Sequence, residues 1–180
     1  AMELYTERLQ LRPWREDDAE ALYLYASDPK VGPIAGWPVH TSVENSRQIL
    51  RDVLMVEETY AVVPKDEGTP VGSIGLMIGD KSNLEISAHE GEIGYWIGVP
   101  YWGRGLIPEA VRELLRHGFE DLHLSCIWCA YFDGNENSKR VQEKCGFRFH
   151  HTEQDKPYPL IDAVKTQHVT CITREQWKKN

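Results

Sequence analysis

An α/β fold with a mixed, mostly antiparallel central sheet flanked by helices (α+β in character) is predicted by three observations. Short segments of strand character recur along the whole chain, segments with a helical apolar stripe lie between them, and the order of the two is mixed rather than strictly alternating. That order leaves room for one parallel crossover, where a strand at 92–99 leads into a helix at 106–119 and on to a strand at 125–132. The 180 residues are 41% apolar and 10% aromatic, enough for one domain with a proper core over residues 2–180. Ala1 stands ahead of Met2, an order expected of a remnant left by a cleaved expression tag, with the natural chain starting at Met2.

Each element has its own local cause. Leu9 and Leu11 alternate with Gln10 and Arg12 up to Pro13, the pattern of a half-buried strand. Asp17 or Asp18 then opens a helix whose stripe holds Ala21, Leu22, Tyr25 and Ala26, and Asp28-Pro29 ends it. Two prolines and two glycines make 32–40 a loop, after which Thr41 or Ser42 caps a second helix reaching about Glu58, with Ile49, Val53 and Val56 on its apolar side. Tyr60–Val63 and Pro70–Ile78 read as a hairpin about Asp66-Glu67-Gly68. In the helix at 106–119, Leu106, Ala110 and Leu114 share a stripe beside Ile107, Val111 and Leu115, and Glu109 with Arg112 and Glu113 with Arg116 are spaced to pair outside. A short helix from about Asn137 ends at Cys145-Gly146, and Phe147–His151 and His168–Thr173 supply the last strands.

Composition excludes several classes of function. A formal net charge of −8 repels a phosphate backbone or an anionic bilayer, so no nucleic-acid and no membrane partner is expected. No apolar stretch approaches the roughly 20 residues that span a bilayer, and a cytoplasmic protein, monomer or homodimer, is expected. Cys126, Cys129, Cys145 and Cys171 are too few and too scattered for a disulfide framework, so reduced thiols are expected. Cys126 and Cys129 have the spacing of a metal pair, yet on a strand they point to opposite faces and no second pair completes a ligand set. No metal is expected.

Trp102-Gly103-Arg104-Gly105-Leu106-Ile107 joins a strand to a helix. Glycines there let backbone N–H groups turn toward a ligand while the helix start adds partial positive charge, a geometry that binds phosphate. A dinucleotide fingerprint would need a third glycine where Pro108 stands. A mononucleotide P-loop has better support, since Gly98 and Gly103 have four residues between them and Asp133 follows an apolar strand. It lacks its lysine, replaced by Arg104, and its magnesium-binding hydroxyl, replaced by Gly105, and Pro100 removes a backbone donor.

The run Glu92-Ile93-Gly94-Tyr95-Trp96-Ile97-Gly98-Val99, then Tyr101 to Leu106 and Glu109-Ala110, resembles the acetyl-CoA-binding core of the GNAT superfamily. Asn135-Glu136-Asn137-Ser138 and Glu143-Lys144-Cys145-Gly146-Phe147 resemble that superfamily's Asn-x-x-Ser and Glu-Lys-x-Gly-Phe segments, so the resemblance covers 92–149. The opening Glu7-Arg8-Leu9-x-Leu11-Arg12, with Asp17-Asp18, is similar to the branch that acetylates ribosomal-protein N-termini. The resemblance implies an N-acetyltransferase that moves the acetyl group of acetyl-CoA directly to a primary amine, a protein N-terminus or a small molecule. A non-catalytic acyl-CoA sensor is the rival that would keep the turn and need no base.

The same resemblance assigns roles by position. Ile97, Gly98 and Val99 would face the thioester with backbone N–H groups, and Gly103, Arg104, Gly105, Leu106 and Ile107 would hold the pyrophosphate. Asn135 would hold the pantetheine arm. Ser138 either bonds the departing sulfur or caps its helix. Glu92 is either the general base that neutralises the attacking ammonium or a structural carboxylate. Two positions depart from the superfamily pattern: Ile107 is bulky where the helix nears the pyrophosphate, and Gln142 stands where many relatives carry a tyrosine proposed to protonate the thiolate. Cys145, before a helix-ending glycine, reads as packing rather than as a nucleophile. Trp37 and His40, in the proline-rich loop, are candidates for the acceptor cleft.

Overall fold

The computed structural model of the protein describes residues 3–180; Ala1 and Met2, with the tag remnant expected there, lie outside the described residues. Among the described residues, eight strands are ordered β1-β2-β3-β4-β5-β6-β8-β7 in one sheet. They are β1 (Leu4–Tyr5), β2 (Leu9–Pro13), β3 (Thr59–Pro64), β4 (Gly72–Ile78), β5 (Glu90–Ile97), β6 (Cys126–Phe132), β7 (Arg148–Tyr158) and β8 (Ala163–Thr173). The helices are α1 (Ala19–Ala26), α2 (Gly32–Ala35), α3 (Val43–Ile49), α4 (Leu106–Arg116), α5 (Glu136–Lys144) and α6 (Arg174–Lys179). The pairs β1–β2, β2–β3, β3–β4, β6–β8 and β7–β8 are antiparallel. Between β5 and β6, Glu90 to Glu92 run parallel to Cys126 to Trp128. This is the mixed, mostly antiparallel sheet expected from the sequence, with its parallel crossover through α4.

The chain groups into two compact units, one holding residues up to Gly75 with Tyr95–Ala110, the other holding Leu76–Gly94 with Val111–Asn180. In the first, Trp14, Ala19, Leu22, Ala26, Leu50, Ala61 and Val63 form the core. Trp14 is buried with its polar edge satisfied, its Nε1 donating to Ser73 Oγ at 3.1 Å. Arg12 and Asp18 form a buried bidentate pair at 2.8 and 2.9 Å, and Asp18 also accepts the Arg15 N–H at 2.9 Å as the chain enters α1. Ser42 caps α3 by accepting from the Asn45 N–H at 2.9 Å.

The inner side of α3 differs from the expectation. Val53 and Val56 are exposed, and the buried positions are Ser46 and Leu50. The cause is a widened turn over Leu50–Leu54 that ends the helix with Met55 N–H bonded to Leu50 C=O, so a constant helical period carried to Glu58 put the stripe on the wrong side. The expected loop at 32–40 contains one turn of helix, α2, ended by Gly36 in the left-handed region.

In the second unit, Val111, Leu114, Leu115, Phe119, Ile127 and Ile172 are buried. The helix α4 widens after Arg116 into a turn over His117–Asp121. Gly118 lies inside that turn because a Cβ there would meet Ile127 Cδ1 at 2.7 Å. β7 and β8 are longer than the apolar runs that announced them, since polar cross-strand contacts extend the hairpin. Gln167 donates to Glu153 at 2.7 Å and Tyr158 to Gln167 at 2.9 Å. Pro157 is tolerated because β7 is an edge strand.

Removing one member of a buried pair strands the other charge, so Asp18→Ala should lower stability by about 3–5 kcal/mol. Glu16→Ala, which breaks the exposed pair with Arg51, should barely move the urea midpoint. Equal shifts for the two variants would show that the Arg12–Asp18 pair is not a fixed part of the core.

Candidate active site

In the first unit, β5 delivers the chain into the glycine turn under tight constraint. The Gly98 N–H donates to Val71 C=O at 2.8 Å, and its Cα lies against the Tyr25 ring, where a Cβ would sit 2.5 Å from Cδ1. Gly98 is therefore glycine for packing, and of the three backbone donors expected at 97–99 its N–H is already committed. A short 3-10 turn over Val99–Tyr101 follows; its first N–H, that of Val99, has no partner within the turn's own ladder. Trp102 Nε1 donates to Ile97 C=O at 3.0 Å and ties the turn back to the strand end.

Gly103 and Gly105 both have φ of +76°, a conformation that other residues adopt at a cost. Nothing lies within 4 Å of a Cβ built on Gly103, so this glycine serves backbone direction rather than space. The first helical bond of α4 runs from Glu109 N–H to Gly105 C=O at 3.3 Å. Leu106 and Ile107 then carry N–H groups with no intrahelical partner, while Pro108 has none to offer. The bulk of Ile107 does not obstruct this end, because its side chain is turned inward and 7% exposed. Arg104 stands outside with its guanidinium 4.9 Å from the centroid of the Tyr101 ring, whose hydroxyl donates to Glu67. Exposed N–H groups at a left-handed glycine turn, a helix start and an adjacent cation form a cradle for an anion.

Trp37 is half-buried and packs edge-to-face on Trp96 at 5.5 Å and against His40 at 5.2 Å. His40 is buried, its Nδ1 lies 2.8 Å from Ser46 Oγ, and burial pushes its pKa down.

In the second unit, Glu92 lies near the head of β5, opposite Trp128 of β6, and is 8% exposed. One carboxylate oxygen accepts from Ser82 Oγ at 2.7 Å and from the Asn83 N–H at 3.1 Å. Burial pushes the Glu92 carboxyl above the ordinary carboxylate value, against the opposing pull of Ser82, Asn83 and Lys156. Lys156 is paired with Glu153 at 3.1 Å, and the Glu153 carboxyl, despite the upward push of burial, is held at about 2 by Gln167, His151 and Lys156. A cavity of about 520 Å³ opens beside this cluster, lined by residues 83–86, Trp128, His150, His151, Glu153 and Lys156.

Asn135 caps α5, its Oδ1 accepting from the Ser138 N–H at 3.1 Å; the cap is thus Asn135 and not Ser138. Ser138 Oγ accepts from Gln142 Nε2 at 3.2 Å. Gln142 is 1% exposed, donates to Ala130 C=O at 3.0 Å and accepts from Thr170 at 2.8 Å, which locks α5 onto β6 and β8. Cys145 is buried and its thiol is pushed up to about 11. Among the described residues, no three His, Cys, Asp or Glu side chains are placed to hold a metal ion, and no helix is long and apolar enough to cross a membrane.

The start of α4 is an anion cradle built from backbone, and the head of β5 separately carries a buried carboxylate of raised pKa. The chain belongs to the GNAT acetyltransferase family: residues 8–148 match the Acetyltransferase (GNAT) domain. It is 33% identical over 150 residues, covering 81% of this chain and 82% of the relative, to the uncharacterized N-acetyltransferase p20 of Bacillus licheniformis. Over 92 residues, 51% of this chain and 46% of the relative, it is 32% identical to the [ribosomal protein uS5]-alanine N-acetyltransferase of Escherichia coli. The crystal structure of a GNAT-family acetyltransferase from Bacillus anthracis superposes with a TM-score of 0.83 at 26% identity, covering 97% of this chain and 99% of that one. The protein is an acetyl-CoA-dependent N-acetyltransferase that transfers acetyl to an amine.

The raised pKa of Glu92 has a consequence for stability. A carboxyl whose folded value lies above its unfolded value contributes stability that is complete below the ordinary carboxylate range and is lost as pH rises through the raised value. Glu92→Gln removes that loss, so its thermal midpoint relative to wild type should climb as pH rises from the ordinary carboxylate range through the raised value. A difference that stays flat with pH would show that Glu92 titrates as an ordinary carboxyl.

Proposed function

We propose that the enzyme acetylates a protein N-terminal amine by direct transfer within one ternary complex, with Glu92 as general base. The observation that carries this reading is the burial of Glu92 with its pKa raised by desolvation. An alkylammonium is mostly protonated at neutral pH and must lose a proton before it attacks. A carboxylate whose pKa is moved toward the working pH takes that proton, directly or through water, more readily than an exposed one. Ser82 and Asn83 hold one of its oxygens, which leaves the other for the acceptor side.

The cradle at Gly103–Ile107 holds the pyrophosphate of acetyl-CoA, with Arg104 as the neighbouring cation, and the pantetheine arm is assigned to Asn135 and Ser138 on the family resemblance alone. Acetyl-CoA supplies the activated acetyl thioester. Val99 and Ile97 offer the backbone N–H groups that polarise the thioester carbonyl. Direct transfer is supported by Cys145, since a buried thiol pushed to about 11 is almost wholly protonated at neutral pH and a poor nucleophile. A peptide N-terminus as acceptor is supported by the named activity of the E. coli relative, and a net charge of −8 favours a cationic acceptor. The four cysteines are thiols, the state kept in a reducing compartment, and the cytoplasm is the proposed location.

A panel of peptide N-termini and small amines, assayed by release of free CoA thiol, tests the reading. Peptides should be acetylated at the α-amine, and preference for a small amine would replace the acceptor while leaving the chemistry. Glu92→Gln should lower kcat by about 10²-fold or more at pH 7 and recover partly at high pH, where the amine is already neutral. A kcat within about threefold of wild type across pH 6 to 9, worth under about 1 kcal/mol of barrier, would make the carboxylate structural. Cys145→Ala should keep most activity, and an acetylated Cys145 peptide formed without acceptor would overturn direct transfer.

A further inference from the structure

The expected pair between Glu109 and Arg112 on the outer face of α4 does not form, and the partner that replaces Arg112 comes from the far end of the sequence. Glu109 accepts from the Thr6 hydroxyl, from the Arg8 N–H at 2.9 Å and from Arg8 Nε at 2.8 Å. Burial pushes the Glu109 carboxyl up, yet Thr6 and the two Arg8 donors outweigh it and hold the group below the ordinary carboxylate value. Thr6 is itself fixed, its Oγ accepting from the Leu9 N–H at 3.0 Å. With its Nε anchored on α4, the Arg8 guanidinium turns another edge to the glycine turn, where Nη1 donates to Arg104 C=O at 2.9 Å. Its Nη2 lies 3.5 Å from where a Gly105 Cβ would be.

On the reading that this turn holds the pyrophosphate of acetyl-CoA, the geometry points to Arg8 as a positioning residue that sets the direction of the Arg104–Gly105 peptide. That peptide is planar and trans, so its C=O and its N–H point in opposite directions. A hydrogen bond that draws Arg104 C=O toward Arg8 therefore aims Gly105 N–H away from Arg8, out of the turn. Glycines at 103 and 105 give this segment little resistance of its own to rotation, and a flipped peptide would present a carbonyl oxygen to the phosphate in place of a donor. Arg8 prevents the flip with a charge-assisted bond, and Glu109 keeps the guanidinium in place through Nε while Nη1 spans to Arg104 C=O, a two-pronged fork that a lysine cannot reproduce. The Arg8 side chain is half exposed while that of Glu109 is largely covered, so the bond to Arg104 is oriented from the helix side.

The test compares donors with and without the pyrophosphate. In Arg8→Met, calorimetric Kd for CoA should rise about tenfold or more, the size expected for losing a charge-assisted bond. At saturating acetyl-CoA, kcat should fall less than threefold, and kcat/KM for S-acetylpantetheine, which has no pyrophosphate, should stay within twofold of wild type. Arg8→Lys, which keeps the charge but not the fork, should weaken CoA binding in the same direction, and the Gly105 amide resonance should shift in both variants. A CoA Kd within twofold of wild type in Arg8→Met overturns the assignment, as does an equal loss for S-acetylpantetheine, which would mark a general structural defect. If wild type itself binds CoA no more tightly than pantetheine, the fault lies with the placement of the pyrophosphate on this turn and not with Arg8 alone.

Discussion

Backbone can hold a diphosphate, the role proposed for the turn at the start of α4, only where consecutive N–H groups converge and the carbonyls between them face elsewhere. Each N–H aimed at the ligand requires a carbonyl aimed into protein or solvent. Positive φ at Gly103 and Gly105 makes such directions accessible, but access is not enforcement. Enforcement comes from groups outside the turn: Trp102 Nε1 on Ile97 C=O, the Val99–Tyr101 turn closed on Gly98 C=O, and Arg8 on Arg104 C=O. Permissive residues supply the conformation and long side chains from other elements select it.

The second constraint is electrostatic. A carboxylate buried without partners would simply stay protonated, whereas one fully satisfied by donors would have its pKa driven down, as Glu153 does under three partners. Glu92 lies between these limits: two donors on one oxygen keep it ionisable, and burial keeps it basic. The same loop that supplies Ser82 and Asn83 lines the adjoining cavity, so the elements that tune the carboxylate also bound the space beside it.

Much of this was legible in the sequence because periodicity and glycine placement are local signals. The stripes of α4 fall at the buried positions read from their spacing, and the Trp102–Ile107 turn joins strand to helix where the glycines marked it. What escaped depends on contacts that sequence distance hides. Glu109 has an arginine three residues on and chooses one 101 residues away, because the helix start rather than the outer face is where its charge is useful. Nor does sequence distance show that His40 is buried against Ser46 and the Trp37 ring. Ile107 looks obstructive until its side chain is seen to turn inward, a direction fixed by its place on the apolar stripe.

Gln142 stands where the family resemblance would place a tyrosine acid, and its surroundings bear on what such an acid would be needed for. Its amide is bonded to Ala130, Ser138 and Thr170, which makes it a brace between α5 and the sheet. A thiolate leaving group has a conjugate acid near a pKa of about 8.5, low enough for it to depart as the anion and take its proton from water afterward. The incoming amine has no such latitude, because its protonated form has no lone pair with which to attack. The catalytic demand is therefore asymmetric: a base on the acceptor side is needed at neutral pH, while a dedicated acid on the sulfur side is dispensable. Gln142 as a packing brace, together with a buried carboxylate of raised pKa at Glu92, the proposed base, fits that asymmetry.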